Sequence, residues 1–506
     1  MPVDPRRWWA LAAIVLTAVT LGFDITIMNV ALPTIASALD VGTSGLQWMV
    51  NAYVLVLAGL MLTCGALGDR WGRRKLLLVG LGLFGAASVA ATWADTAAIV
   101  IAARAVMGVG GAIILPVAFA VLPALFPPHE RGKAVAVTVA ATGVGIPLGP
   151  LIGGWLLDHF WWGSIFLINI PMAAVAMLAI VVLLPETRDP HPPRPDALGA
   201  VLSTAGLVAL VYGFIEAPGR GWSAPVVVVA LTAAVVLLAG FVWWQLRTDQ
   251  PMIDLRLFGL RQFLWGSVAG MLVTFGLLGM LFVVPQYLQL VKGFDPFGTG
   301  LRLLPMIAGL VIGASAGERI AARAGYRIPI TAGLLILAAG LAAGATTDLD
   351  SGYGFVAAWL AAVGLGIGMA LSPAMDAILA ALPPQRSGSG TAVTMTLRQV
   401  GGALGIALLG SVLSQGYTAR LDTTGLPTAA AKAAGESLAA ALAVAARLDN
   451  PALAADAKAA YLHGMTLVLV VCAVIALLSA VAIAVLMPGR RPSAGLTPSP
   501  ERKVPA

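Results

Sequence analysis

The sequence has little charge. Only 10% of its 506 residues are charged, whereas 59% are hydrophobic and the mean hydropathy is +0.93. A soluble domain carries about 25% charged residues, so the composition excludes a soluble enzyme, a nucleic-acid-binding protein and a disordered tail. The net charge of +7 does not indicate a nucleic-acid partner, because the basic residues lie in short loops beside apolar segments.

Cysteine and histidine are equally scarce. Cys64 and Cys472 both lie inside apolar runs, which excludes a disulfide framework and a cysteine metal site. The four histidines are expected in loops and form no ligand cluster: His129, His159, His191 and His463. A polytopic membrane enzyme would need such a cluster near one interface, so we keep it only as a remote alternative. We expect no metal and no cofactor.

Long apolar runs dominate the chain instead. A membrane-crossing helix needs about 20 apolar residues, and fourteen runs satisfy this requirement. The predicted spans are 9–31, 46–67, 76–93, 97–122, 134–157, 165–184, 197–217, 224–245, 262–289, 299–317, 328–346, 354–381, 389–413 and 464–487. The fold class is therefore an all-α integral membrane protein embedded in a lipid bilayer, and the segment 415–462 is expected to form an amphipathic helix pair on its outer surface.

The positions of Lys and Arg predict the orientation. With the N-terminus in the cytoplasm and every run crossing, 21 basic residues are cytoplasmic, six are outside and three lie within spans. An error of one span would reverse every later loop and destroy this asymmetry. We therefore expect both termini in the cytoplasm.

A weak internal repeat predicts the domain plan. GALGDRWGRRK, 65–75, follows the second span, and GERIAARAGYR, 317–327, follows the tenth. Parallel repeats of six helices are a transporter design, and the later position of the second copy places two extra helices between the repeats. The predicted units are a six-helix bundle at 1–185, a linker with two helices at 186–256, a second bundle at 257–490 and a cytoplasmic tail at 491–506.

The first repeated loop has the features of a conformational latch. Its glycines allow close backbone approach, and its carboxylate can bind a helix N-terminus or an arginine. Plain anchoring of a positive loop at the inner face is the alternative. The latch residues are Gly65, Asp69, Arg70, Gly72, Arg73 and Arg74.

The fifth span carries an unusual density of glycine and proline in GVGIPLGPLIGG, 143–154. These residues cost helix stability unless close packing or a bend compensates. A bend that opens and seals is one interpretation, and a generic packing face of small residues is the other. The residues concerned are Gly145, Pro147, Gly149, Pro150, Gly153 and Gly154.

Two opposite charges fall within spans on the N-terminal side. Asp24 in the first span and Arg104 in the fourth each lie about seven residues, or about 10 Å, from the outer end, so they can pair across the bundle interior. An ionisable residue inside a membrane is a functional hypothesis by default. Proton coupling through Asp24 is the favoured interpretation, and a static buried ion pair is the alternative.

A second pair lies on the C-terminal side. Asp376 in the twelfth span is within reach of the long side chain of Arg398 in the thirteenth. A proton relay, a substrate contact, an inner gate and a structural tie all remain open for this pair. Weaker candidates for a substrate cavity are Met28, Asn51, Tyr53, Glu216, Tyr287 and Met369, although polar residues near span ends are ordinary and Glu216 is more typical of an interfacial carboxylate.

Together these motifs resemble the major facilitator superfamily, in particular its fourteen-helix drug:H+ antiporter branch. GALGDRWGRRK is similar to the signature A loop, RAVMGVGGA (104–112) to signature B, GVGIPLGPLIGG to the antiporter signature C, and DITIMNVALP (24–33) to the first-helix signature. The resemblance covers residues 8–416 and resumes in the last span. It implies two six-helix bundles around a central cavity, and export of hydrophobic compounds driven by the proton gradient. It also implies Asp24 and Arg104 as the coupling pair.

Three departures from the family pattern stand out. Met107 replaces a usually polar residue of signature B, and WGSIF (162–166) lacks the arginine common after the fifth helix. The thirteenth span carries no acidic residue, unlike that of members that export dicationic biocides. Neutral or monocationic lipophiles are therefore the expected substrates, with Asp376 as a substitute carboxylate.

The expected function is proton-coupled export of amphipathic drugs, dyes or antibiotics across the bacterial cell membrane, by a monomer whose partners are these substrates and protons. A dedicated exporter of one endogenous metabolite or antibiotic is the alternative.

Overall fold

The structure, a computed structural model, describes residues 7–188, 196–248, 251–382 and 387–489, without the side chains of some positions in α4, α5 and α15. Within this part the chain forms helices and no strands, which confirms the all-α fold. The tail at 491–506 and part of the 186–196 linker lie outside the described residues.

The N-terminal helices are long and closely connected. They are α1 (Arg7–Leu39), α2 (Thr43–Trp71), α3 (Arg73–Thr92), α4 (Ala97–Leu125), α5 (Pro128–His159), α6 (Ser164–Leu167) and α7 (Asn169–Leu183). The sixth predicted span is thus broken at Ile168, three residues before Pro171, whose nitrogen cannot donate a helical hydrogen bond. The next two helices, α8 (Ala197–Arg220) and α9 (Pro225–Arg247), are the predicted inserted pair.

The C-terminal helices begin with α10 (Arg261–Gln286), which continues as a π-helical turn over 287–291. They continue with α11 (Pro296–Arg302), α12 (Leu304–Ala324), α13 (Arg327–Gly344), α14 (Tyr353–Ala380), α15 (Ser387–Arg420), α16 (Thr428–Glu436), α17 (Leu438–Arg447) and α18 (Pro451–Leu486). The segment 415–462 does contain a pair of short helices, α16 and α17, but α15 and α18 extend into it from both sides.

Thirteen helical segments of the described residues are long and apolar enough to cross a membrane. Helix α5, with 32 residues, is a further long helix in the position of the fifth predicted span, and many side chains of its first half lie outside the described part. The helices show large apolar side chains on their outer surfaces, such as Leu178, Val235 and Leu478. This is the surface expected of a protein that faces lipid.

The two halves repeat the same packing. In the first half α1 packs on α5, α4 packs on α2 and α3, and α7 packs on α3. In the second half α10 packs on α15, α14 packs on α12 and α13, and α18 packs on α13. Helix α8 contacts α9, α2 and α15, so the first inserted helix touches one helix of each half. These contacts fit the predicted plan of two bundles with a pair of helices between them.

The helical bundle has two ends, the basic end and the far end. The basic end carries the α2–α3 turn with residues 69–75, and the far end carries the α1–α2 turn with residues 39–43. Glycines with positive φ close comparable turns at the basic end of both halves, namely Gly72 (φ 113°) after α2 and Gly325 (φ 80°) after α12. A left-handed backbone at these points favours glycine.

Candidate functional site

An ion pair lies in the interior of the N-terminal half. The Nη1 atom of Arg104 on α4 donates to Oδ2 of Asp24 on α1 at 2.5 Å. Both residues are completely buried, with 0% exposure. A buried charge is costly unless a partner and further hydrogen bonds compensate it, and the surroundings of both residues supply such bonds.

Helix α2 holds the arginine in place. The Nε atom of Arg104 donates to the carbonyl oxygen of Met49 at 3.2 Å, and its guanidinium carbon lies 4.5 Å from the ring centroid of Tyr53. The Tyr53 ring therefore provides a cation–π contact, and the arginine is fixed between α1 and α2. Its remaining Nη2 atom has no partner among the described residues.

Helix α7 supplies a second donor to the carboxylate. The Nδ2 atom of Asn169 donates to Oδ1 of Asp24 at 3.0 Å, and the asparagine is 0% exposed. Each oxygen of Asp24 thus accepts a hydrogen bond from a different helix. Our sequence analysis missed Asn169. The available signal was a single amide within the apolar run of 165–183, beside Pro171 at the helix break.

The predicted distance of Asp24 from the end of its helix was too short. Helix α1 continues through Pro33 to Leu39, so Asp24 lies fifteen residues, or about 22 Å, from the end of its helix. Arg104 does lie seven residues after the start of α4. The two side chains meet although their distances from the helix ends differ, because α1 extends well beyond the predicted span.

Helix α5 packs its glycines directly against α1 beside this ion pair. A Cβ atom at Gly145 would lie 2.8 Å from the backbone nitrogen of Phe23, and one at Gly149 would lie 3.0 Å from the Phe23 carbonyl oxygen. One at Gly153 would lie 2.4 Å from Ile27 Cγ1. The glycines of α5 therefore form a close packing face, as one of the two interpretations expected. The backbone of α5 lies against the backbone of α1 at positions before and after Asp24.

The same helix reaches the other half at the far end. A Cβ atom at Gly154 would lie 2.5 Å from the carbonyl oxygen of Pro296. Across the same junction, a Cβ atom at Gly300 of α11 would lie 2.4 Å from the carbonyl oxygen of Pro150. The side chain of Pro147 lies outside the described residues, and the opening-and-sealing interpretation stays a prediction.

The predicted latch forms contacts within its own half. Asp69 accepts hydrogen bonds from Nε and Nη2 of Arg73 at 3.0 and 2.7 Å. Glu186, which follows the end of α7, caps the N-terminus of α3. It accepts hydrogen bonds from the backbone nitrogens of Arg74 and Lys75 at 3.2 and 3.3 Å. Of the two partners expected for Asp69, the structure selects the arginine.

The other latch residues occupy ordinary positions. Gly72 leaves room for the Glu186 carboxylate, because a Cβ atom there would lie 2.5 Å from its Oε1 atom. Gly65 faces α4, because a Cβ atom there would lie 3.4 Å from Pro116 Cβ. The Arg70 side chain is exposed. The conformational role of this loop stays a prediction.

The second predicted pair is not joined. Arg398 donates from Nε to Thr274 Oγ1 of α10 at 3.3 Å, and no ion pair links it to Asp376 in the described part of the chain. Asp376 is exposed, near the basic end of α14. The suggested reach of Arg398 to Asp376 is therefore wrong for this conformation, since the arginine turns towards α10 instead.

The weaker cavity candidates are mostly enclosed in this conformation. Met28, Asn51, Tyr53 and Tyr287 are 0% exposed, and Met369 is 5% exposed. Glu216 instead forms an ion pair with Arg220 at 2.7 Å and accepts a hydrogen bond from Ser44 at 3.2 Å. This is the arrangement expected of an interfacial carboxylate at a helix end.

The hydrogen bonds that join the two halves between described residues all lie at the far end. Gln47 of α2 donates to the carbonyl oxygens of Ile406 and Ala407 in α15 at 3.0 and 2.9 Å. Gln289 donates to the carbonyl oxygen of Val30 at 2.8 Å. The other such bonds run from Thr43 to the Glu436 carbonyl and from the Phe297 nitrogen to Asp158. The halves are therefore tied together at the far end.

Comparison with known sequences identifies the family. Residues 14–406 match the Major Facilitator Superfamily. The multidrug efflux pump LfrA of Mycolicibacterium smegmatis is 34% identical over 492 residues, which cover 95% of this chain and 96% of that protein. The tetracenomycin C resistance and export protein of Streptomyces glaucescens is 33% identical, covering 81% of this chain and 76% of that protein.

Solved structures share the same fold. A bacterial homologue of the human lysosomal transporter Spinster, in an inward-facing and unoccupied conformation, superposes with a TM-score of 0.66 at 18% identity, covering 95% of this chain and 98% of that one. The inward-open xylose transporter XylE from E. coli gives a TM-score of 0.59 at 13% identity, covering 96% and 98%. With its repeated helical halves and its buried ion pair, this chain belongs to the Major Facilitator Superfamily and is a multi-pass membrane transporter rather than an enzyme.

Proposed function

We propose that the protein is a proton-coupled antiporter that exports amphipathic drugs, dyes or antibiotics across the bacterial cell membrane. The observation that carries the proposal is the buried Asp24–Arg104 ion pair, which places an ionisable carboxyl group inside a helical membrane transporter. The names of the relatives support the substrate class, because they include multidrug efflux and antibiotic resistance proteins.

The protonation of Asp24 would change the energy of its surroundings. A neutral carboxylic acid no longer balances the charge of Arg104, which is 0% exposed and so cannot exchange its partner for water. Removing one partner of a buried ion pair typically costs about 3–5 kcal/mol. This cost favours a conformation in which Arg104 is hydrated or finds another partner, and so couples proton binding to rearrangement of the bundle.

The distribution of basic residues supports the orientation of the protein in the membrane. Under the positive-inside rule the basic end faces the cytoplasm and both termini lie there. The far end, where Gln47 and Gln289 join the halves, then faces outward. Substrate would enter from the cytoplasmic side in this conformation, and entry of an external proton to Asp24 would follow once the far end has opened.

The decisive experiment uses purified protein in proteoliposomes with an imposed pH gradient. Wild type is expected to move ethidium, a fluorescent lipophilic monocation, against its gradient. Asp24→Asn should abolish gradient-driven transport while ethidium binding survives, because the amide keeps the size of the side chain and cannot carry the proton. Asp376→Asn and Glu216→Gln are the matched controls. Coupled transport that persists in Asp24→Asn would move the coupling proton to one of those carboxylates.

A dedicated exporter of one metabolite is the second candidate function. Several relatives are named after single natural products, including the puromycin resistance protein of Streptomyces alboniger and a probable actinorhodin transporter of Streptomyces coelicolor. The same proteoliposome assay separates the two with a panel of neutral, monocationic and dicationic compounds. Transport of several unrelated neutral and monocationic compounds supports multidrug export, and no transport across the panel supports the dedicated exporter.

The protein is proposed to act as a monomer, since one chain contains both halves and the complete ion pair. Its mass in detergent, measured by light scattering with the detergent subtracted, should be that of one 51.7 kDa chain.

A further inference from the structure

We infer that Asn169 is a positioning residue for the coupling proton, which it influences through its hydrogen bond to Asp24. The inference rests on the proposed function, because it assumes that Asp24 carries that proton. The observation behind it is the contact between Asn169 Nδ2 and Asp24 Oδ1 at 3.0 Å, made from a different helix than the Arg104 contact.

The asparagine does not serve its own helix. Asn169 is the first residue of α7 and follows the N-cap residue, Ile168, so it does not stand at the position where an asparagine commonly caps a helix. Here its Oδ1 atom has no partner among the described residues, although the residue is 0% exposed. An unpaired buried oxygen is costly, and among the described residues the side chain's hydrogen bond goes to Asp24 rather than to its own helix.

An amide suits both protonation states of a carboxyl group. An ionised carboxylate only accepts hydrogen bonds, so it takes the Nδ2 donor of Asn169. A protonated Asp24 also donates, and rotation of the amide would present the unpartnered Oδ1 of Asn169 to that proton. Arg104 has donors only and cannot follow the change in this way. Asn169 can therefore hold Asp24 in position while the bond to Arg104 weakens.

The two states are not supported equally. A hydrogen bond to a charged group is worth roughly twice one between neutral groups, so Asn169 on balance favours the ionised carboxylate. The other charged or titratable groups that face Asp24 are Arg104 on α4 and Tyr53 on α2. On the α5 side the contacts beside Asp24 come from glycines, Gly145 and Gly149. Replacing Asn169 therefore removes a hydrogen bond to Asp24 without changing the number of charges around it.

The test measures the pH at which coupled ethidium transport is half-maximal. Asn169→Leu, which keeps the approximate volume and removes both polar atoms, should move this pH towards the alkaline side by about half a unit to one unit. Asn169→Gln, which keeps the amide, should return it part of the way. Ethidium affinity at alkaline pH should stay within about twofold of wild type, because a positioning residue acts on the proton rather than on the substrate.

Two controls make the result specific. Asn29→Leu removes another buried amide, one that donates to the Ile25 carbonyl within α1, and should leave the half-maximal pH unchanged. In an Asp24→Asn background, Asn169→Leu should cause no further change in the residual, uncoupled exchange of ethidium, since the two residues act through one contact. An equal shift from Asn29→Leu, or an unshifted Asn169→Leu, would overturn the inference.

Failure of folding would not leave the question open. If Asn169→Leu does not yield stable protein, Asn169→Ser takes its place, because it removes the amide and retains only a hydroxyl donor in a smaller side chain. A half-maximal pH shifted to the alkaline side would support the inference, and an unshifted one would overturn it. The proposed function fails by a different result, namely a wild type without gradient-driven transport or an Asp24→Asn variant that keeps it.

Discussion

The two halves of the molecule hold their intramembrane charges in opposite ways. In the N-terminal half Asp24 and Arg104 are enclosed, paired and held from α1, α2, α4 and α7. In the C-terminal half Asp376 is exposed, and Arg398 donates to Thr274 rather than to an acid. A shared packing plan therefore does not imply shared chemistry. The completely buried carboxylate of Asp24 has its counter-charge within its own half, whereas the carboxylate of Asp376 keeps access to water.

The largest effect should come from removing one buried partner. Arg104→Gln leaves Asp24 without its counter-charge and is expected to lower the free energy of unfolding by about 3–5 kcal/mol. Arg398→Gln removes one hydrogen bond to a hydroxyl group and should cost about 1 kcal/mol. Thermal unfolding in detergent, with ethidium transport measured in parallel, compares the two variants.

A double variant sharpens this comparison. Asp24→Asn combined with Arg104→Gln should be more stable than Arg104→Gln alone, because no unpaired charge remains buried. If Arg398→Gln destabilised the protein as much as Arg104→Gln, the contrast between the halves would be wrong.

A smaller effect, of similar size in both halves, is expected at the equivalent helix contacts, α1 with α5 and α10 with α15. A Cβ atom at Gly149 would lie 2.9 Å from the Ile27 nitrogen, and one at Gly405 of α15 would lie 2.2 Å from the Phe275 carbonyl oxygen. Gly149→Ala and Gly405→Ala should each lower the free energy of unfolding by about 1–3 kcal/mol, as measured by thermal unfolding.

Gly276 provides the matched control for these two variants. It lies in α10 with open space around its Cβ position, so Gly276→Ala should stabilise the helix slightly. In addition, Gly149→Ala should impair proton coupling more than Gly405→Ala, since it displaces α1 beside Asp24. Equal loss of coupling would argue against the special role of the N-terminal half.

The last effect concerns the conformation of the junction where the halves meet. Gln47→Ala removes two hydrogen bonds to α15 and should favour opening of the far end, by about 1–3 kcal/mol at most. Distances between spin labels at the far end, one on each half, would report the longer separation. Thr63→Val, which removes a hydroxyl contact to Met252 Sδ near the basic end, should leave those distances unchanged.

Much of the architecture could be predicted from the sequence because a bilayer imposes it. Apolar length predicted the spans, and thirteen of them correspond to segments found among the described residues. Helix α5 lies at the position of the remaining predicted span. The boundaries were less predictable. Helix α1 extends to Leu39, beyond the predicted end at residue 31, since Pro33 is accommodated within it and hydropathy does not report where a helix ends in water.

Within the site, the pairing of Asp24 with Arg104 was predicted correctly, whereas Asn169 was missed. Asp24 and Arg104 were identifiable because a charge within an apolar run is rare. Asn169 was not, because a single amide near a helix break is also typical of a helix cap. The partner of Asp69 was left open between a helix end and an arginine, and the geometry of the α2–α3 turn decided for Arg73.

The sequence by itself determined the class of molecule: its scarcity of charge, its apolar runs and its family motifs permit little besides a helical membrane transporter. Only the tertiary structure decided which polar groups meet. It brought Asn169 to Asp24 across 145 residues of chain, and it turned Arg398 to Thr274 instead of Asp376. Such pairings depend on the rotation and tilt of neighbouring helices, to which hydropathy, averaged around each helix, is insensitive.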